Sequence, residues 1–172
     1  MKYKFLNNFI INFNKGNFTI KKFTEFDNKT IANVRLYLKK HKLPHKTNQQ
    51  VIKSALNEYY GWIYHNTLYY RDNLELTDII STILHEYVHW IRRKDGTYKY
   101  KTDNDIFIEE FFAELISEYY VNTIFTKNYI ITLDIISNTI ELIISKYNLN
   151  IKKEKACELV NNNIHTVLKY FK

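Results

Sequence analysis

The chain has 172 residues, 45% of them hydrophobic, and carries a net charge of +7. That length suits one domain with a real core rather than two, and that composition excludes global disorder. A single cysteine, Cys157, excludes an intramolecular disulfide and a Cys-rich zinc ribbon, so any metal site must use histidines and carboxylates.

Met1-Lys2-Tyr3-Lys4 has the positive start of a signal peptide, but Asn7, Asn8 and Asn12 make the next stretch too polar for its apolar region. No apolar run reaches the length of a membrane span, so a soluble, intracellular protein without a membrane partner is expected. Tyr3 to Phe13 and Phe18 to Phe23 are rich in aromatic and β-branched residues on either side of Asn14-Lys15-Gly16-Asn17, which predicts a hairpin. Ile31, Val34 and Leu38 give Asn28 to Lys42 a helical spacing that stops before Pro44. Thr47 is placed to cap a helix through Val51, Ile52, Ala55 and Leu56. Tyr59 to Tyr64 and Thr67 to Arg71 read as two strands about a His65-Asn66 turn, and Asp72 to Thr77 as a loop. A long helix follows through Ile79, Ile83, Tyr87 and Ile91, with Thr77 or Asp78 as its cap and Asp95-Gly96 as its stop. Further helices are expected over about Asp105 to Phe125, Tyr129 to Tyr147 and Lys152 to Phe171. Cys157 lies in the last of these with no histidine nearby and is read as incidental. The whole predicts a single α+β domain spanning 1–172. In it a small, partly antiparallel sheet packs on the two central helices, and the C-terminal part is helical.

His85-Glu86-Tyr87-Val88-His89 forms an H-E-x-x-H motif inside a helix. Residues four apart share a helical face, about 6 Å apart along the axis, so two imidazoles projecting from it can converge on one zinc ion. Glu86 is rotated out of the coordination sphere but stays beside a metal-activated water, where its carboxylate can act as general base. Two histidines and a glutamate among Ile83, Leu84, Tyr87, Val88 and Trp90 need compensation if buried, and a metal supplies it.

A catalytic zinc site generally has three protein ligands and an open position. No histidine follows His89 until His165, but the next helix carries Glu109, Glu110 and Glu114 among Phe107, Ile108, Phe111, Phe112, Leu115 and Ile116. Glu110 and Glu114 share a face beside the small Ala113. Glu110 is therefore assigned as third ligand, with Glu109 as the alternative. Glu114 is expected to accept the free ring N–H of a ligating histidine.

H-E-x-x-H followed some twenty residues later by E-x-x-A-D/E resembles the gluzincin metallopeptidases, here as His85-Glu86-Tyr87-Val88-His89 and Glu110-Phe111-Phe112-Ala113-Glu114. The brevity of the chain is most similar to the minigluzincins and the metallopeptidase domain of ImmA/IrrE-type regulators. The resemblance covers about Gly61 to Tyr120 and departs from the common pattern at Glu114, where the family often has Asp. It implies a zincin-like fold and a zinc metallopeptidase acting on a protein or peptide substrate. It also implies a sheet-edge strand just before the metal helix that receives the substrate in extended form, here Leu68, Tyr69 and Tyr70. A Tyr or His from beyond the Glu helix should stabilise the oxyanion; Tyr119, Tyr120 and His165 are candidates, with no basis for choosing. His41, His45 and His65 are expected to be surface or structural residues rather than ligands.

Two other functions compete. One is a non-catalytic module on the same scaffold, such as a toxin, antitoxin or host-factor binder, which would have no use for Glu86. The other is a DNA-associated metalloprotease, which the basic charge favours. Lys, Asn, Ile, Tyr and Phe are nevertheless the residues that an A/T-rich genome, viral or other, would enrich. The only dense basic cluster is Arg92-Arg93-Lys94, so a nucleic-acid partner is not expected.

Overall fold

Phenylalanines recur every fourth residue at Phe5, Phe9 and Phe13, which puts them on one face of a helix rather than on alternate faces of a strand. The computed structural model, which describes residues 4–126 and 129–171, has a helix there: α1, Lys4–Asn14. The expected N-terminal hairpin is thus corrected, and its first residue, Tyr3, lies outside the described residues. Aromatic content favoured a strand, but the four-residue period lets the rings dock on other helices. Phe5 stacks on Tyr120 with centroids 4.7 Å apart, and Phe9 meets Tyr87 edge-on at 4.9 Å. The turn at Asn14-Lys15-Gly16-Asn17 is real but closes a helix. Gly16 takes φ 68°, and the Asn17 N–H donates to the Asn12 carbonyl.

Strand β1 is Thr19–Lys22. A short 3-10 turn leads to α2, Asn28–Lys40, whose Asp27 cap accepts from the Thr30 N–H. α3, Asn48–Glu58, has Thr47 as cap, with Gln50 completing a capping box. β2, Gly61–Tyr64, and β3, Thr67–Tyr70, form a hairpin. α4 is Leu76–Lys94 and α5 is Asp103–Thr126; α6 is Leu133–Lys146 and α7 is Lys153–Phe171. α4 starts two or three residues earlier than Thr77 or Asp78 would allow as caps, because Glu75 takes that position.

The sheet order is β1-β3-β2, with β1 parallel and β2 antiparallel to β3. This makes the domain α+β with a small mixed sheet. Successive strand residues face opposite ways. Ile63 and Leu68 join Phe18 in the main core against α4 and α5, while Tyr69 packs with Trp62 and Tyr64 against α2 and α3. α5 is apolar nearly all round because it is surrounded, with α4, α6 and α7 against it. Among the described residues, no helix is long and apolar enough to cross a membrane.

Candidate metal centre

Side chains at His85 and His89 leave α4 one turn apart, and their rings lie nearly perpendicular with centroids 4.8 Å apart. α5 packs alongside and carries Glu110 to both rings. His85 Nε2 lies 3.1 Å from His89 Nε2 and 3.2 Å from Glu110 Oε2, and His89 Nε2 lies 3.6 Å from Glu110 Oε1. Ligands about 2.05 Å from a tetrahedral zinc ion stand about 3.3 Å from one another, so these spacings fit such an ion. One donor atom from each of the three residues falls within 4.8 Å of the other two. His89 and Glu110 are buried and His85 nearly so.

Glu114, one turn beyond Glu110, brings Oε2 to 3.3 Å from His85 Nδ1 and so holds the ring orientation. The Nδ1 atom of His89 is buried without a hydrogen-bond partner among the described residues. Burial opposes charge on His85, but hydrogen bonds to Glu110 and Glu114 outweigh it and push its pKa up to about 10. Burial likewise raises the carboxyl of Glu110, but His89 and His85 hold it well below the usual carboxylate range. Glu86, also buried, is not among these donors. Burial pushes its carboxyl above the ordinary value, against the pull of His89 and His85.

Glu109 points elsewhere. It accepts from Arg92 Nε at 2.6 Å and Arg92 Nη2 at 2.8 Å, and from the Lys99 N–H at 3.1 Å, in a buried bidentate pair. The alternative third ligand is therefore a structural residue. Two tyrosines not singled out in the sequence meet Glu110 instead. Tyr147 donates to Oε2 at 2.6 Å and Tyr100 to Oε1 at 3.0 Å. Burial raises both phenols well above 10, so both remain protonated donors. The only sequence signals for them were a tyrosine in the loop after the motif and another at a helix stop, lost among 15 tyrosines. Tyr119 and Tyr120 pack on Tyr129 and Phe5 respectively, and His165 is exposed on α7. None of the three lines the cleft over His85.

That cleft, of about 670 Å³, includes Gly61, His85, Glu86, Glu114 and Tyr147 in its walls. The edge-strand expectation for Leu68, Tyr69 and Tyr70 is corrected. β3 lies between β1 and β2, and Leu68 and Tyr69 are buried. A parallel partner from beyond α1 covers the edge that the local sequence left open. The free edge nearest the cleft belongs to β2. Arg71 N–H donates to the Tyr60 carbonyl, so Tyr60, Trp62 and Tyr64 face β3 with their peptide groups, and Gly61 and Ile63 turn theirs outward. Gly61 is a glycine for space, since a Cβ there would sit 2.6 Å from Glu86 Oε1. Of the other histidines, His45 bonds the Leu43 carbonyl, His65 forms the hairpin turn, and His41 lines the cleft. Comparison with protein-family profiles, with characterised proteins and with solved structures finds no significant match.

Proposed function

We propose that this chain is a zinc-dependent metallopeptidase of zincin-like architecture. The observation that carries the reading is a group of three convergent donors that reaches a cleft through His85, with Glu86, a buried carboxylate that is not a donor, and Gly61 of the outer strand β2 in the same cleft wall. His85, His89 and Glu110 would hold the ion. Bound there, zinc would supply Lewis acidity, lowering the pKa of a water enough for Glu86 to deprotonate it near neutral pH. Glu86 takes the proton from the attacking water and passes it to the leaving amine. Its raised affinity for protons suits that task. Glu114 fixes the His85 ring, and Tyr100 and Tyr147 orient Glu110. Tyr147 lines the cleft, and its hydroxyl, once released from Glu110, can donate to the developing oxyanion. A peptide in extended form adds to the β2 edge at Gly61, whose outward N–H and C=O bind backbone rather than side chain.

The test is Glu86→Gln. It keeps zinc at one per chain and abolishes hydrolysis of an unfolded protein substrate. Unchanged hydrolysis by that variant, or a fully zinc-loaded wild-type protein that cleaves no peptide, defeats the reading.

A further inference from the structure

The excess of positive charge is confined to one layer of the fold. Residues 28 to 57, which include α2 and α3, carry Lys29, Arg35, Lys39, Lys40, Lys42, Lys46 and Lys53 and no carboxylate. These seven account for the whole net charge of +7, and the rest of the chain is neutral. No run among them is longer than Lys39-Lys40, so the layer takes shape only on folding. α2 and α3 pack on each other and bury Ile31, Val34 and Leu38, and Val51 and Ala55, in one cluster with Tyr69 of the sheet. Lys29, Leu36 and Lys40 recur on the side of α2 opposite that cluster, as Gln49, Lys53 and Asn57 do on α3, and all six are exposed. Both outer sides therefore turn away from the sheet. Arg35 braces the connection between the two helices, donating to the His45 carbonyl and the Asn48 side chain. The six lysines are exposed, and none of the seven basic groups is in an ion pair among the described residues. Carboxylates return only at the margins. Glu25 and Asp27 lie ahead of α2, each accepting a backbone N–H, and Glu58 ends α3.

We propose that the outer face of α2 and α3 binds duplex nucleic acid through its phosphate backbone. Lys29 and Lys40 stand eleven residues apart, about 16 Å along the helix axis. Duplex DNA presents one charge per about 1.7 Å of its axis, so a single duplex offers phosphates along that whole length. The amides of Gln49 and Asn57 add neutral donors of the kind that bind phosphate oxygens. The face has no exposed Phe, Tyr or Trp on which single-stranded bases could stack, and Tyr37 is turned into the metal cleft. Leu36 is its one large exposed apolar side chain, too little to enter a membrane interface or to anchor a protein partner. An A/T-rich codon bias adds lysine along the whole chain but does not by itself clear carboxylates from one layer. Binding on this face is independent of hydrolysis in the cleft.

Fluorescence anisotropy of two short labelled DNA duplexes of unrelated sequence, titrated with the full chain, provides the test. With four or five phosphates engaged, the logarithm of the binding constant should fall with the logarithm of salt at a slope of about −4. Binding then weakens by about two orders of magnitude between 50 and 200 mM salt, equally for both sequences. Lys29→Gln/Lys40→Gln/Lys53→Gln protein with an unchanged melting temperature should lose about 3 from the steepness of that slope and bind at least about tenfold more weakly at 50 mM salt. Lys15→Gln/Lys101→Gln/Lys152→Gln removes the same charge from exposed lysines elsewhere and should leave both values near wild type. No duplex binding at 50 mM salt, equal losses in the two variants, or a slope unmoved by the first overturns the proposal. A preference of about tenfold or more for one sequence would show base readout and overturn backbone binding. Tighter binding of polyglutamate or of phosphatidylserine vesicles than of duplex would assign the face to an acidic protein or to a membrane instead.

Discussion

Glu109 and Glu110 are neighbours on α5 with opposite expected behaviour when replaced by alanine. Glu109→Ala leaves the Arg92 guanidinium buried without its carboxylate and removes the acceptor of the Lys99 N–H. Both side chains are almost fully buried, at 7% and 1% exposure, so the discount that applies to surface ion pairs does not apply. Breaking a buried pair by removing one partner costs about 3–5 kcal/mol, against a total stability of about 5–15 kcal/mol for a domain. For this chain length that corresponds to a fall in Tm of about 6–20 °C. Replacing both partners by apolar residues, as in Arg92→Met/Glu109→Leu, should recover much of the loss, because no buried charge is then stranded. Glu110→Ala should instead lose zinc. Circular dichroism melts combined with metal analysis of each purified variant separate the two. A Glu109→Ala protein that melts within about 2 °C of wild type would refute the energetic argument. Loss of zinc from Glu109→Ala under conditions where it remains folded would refute the choice of ligand.

In protein stripped by a chelator, His85 carries its proton up to a pKa of about 10, so zinc must displace that proton. Zinc affinity should therefore rise with pH, with proton release detectable by calorimetry in buffers of different ionisation enthalpy; a flat profile would refute it. Because that pKa lies above the ordinary 6.5, the His85 contribution to stability of the stripped protein is complete below pH 6.5. It is lost as pH rises toward about 10, which thermal melts across that window would show. Gly61→Ala forces a methyl group against Glu86 and should depress kcat while zinc content is retained; undiminished kcat would remove the close-approach argument. Tyr147→Phe should lower kcat about a hundredfold with little change in KM, and an effect on KM alone would assign Tyr147 to binding.

The convergence of His85, His89, Glu110 and Glu114 was legible because helical spacing is a local property. Carboxylates inside an apolar helix such as α5 also signal that something must meet them. Splitting Glu109 from Glu110 was harder. Both lie in apolar sequence, and the choice turned on shared faces within the helix. The Arg92 pairing that settles the geometry spans 17 residues. At α1, ring content outweighed ring spacing, and a helix was read as a strand. The parallel pairing of β1 with β3 joins residues 48 apart in sequence, such as Thr19 and Thr67, and no local pattern encodes it. That one missed pairing moved the free edge from β3 to β2. Tyr100 and Tyr147 reach Glu110 from a loop and from a helix end, where side-chain direction follows from packing rather than from period.

Anomalous diffraction at the zinc edge, from crystals of the zinc-loaded protein, tests the central claim most directly. The account predicts one peak bonded to His85 Nε2, His89 Nε2 and a Glu110 carboxylate oxygen at about 2.0–2.2 Å, with Glu86 outside bonding distance. Zinc bound by other residues, or a centre with Glu110 outside the coordination sphere, would contradict it.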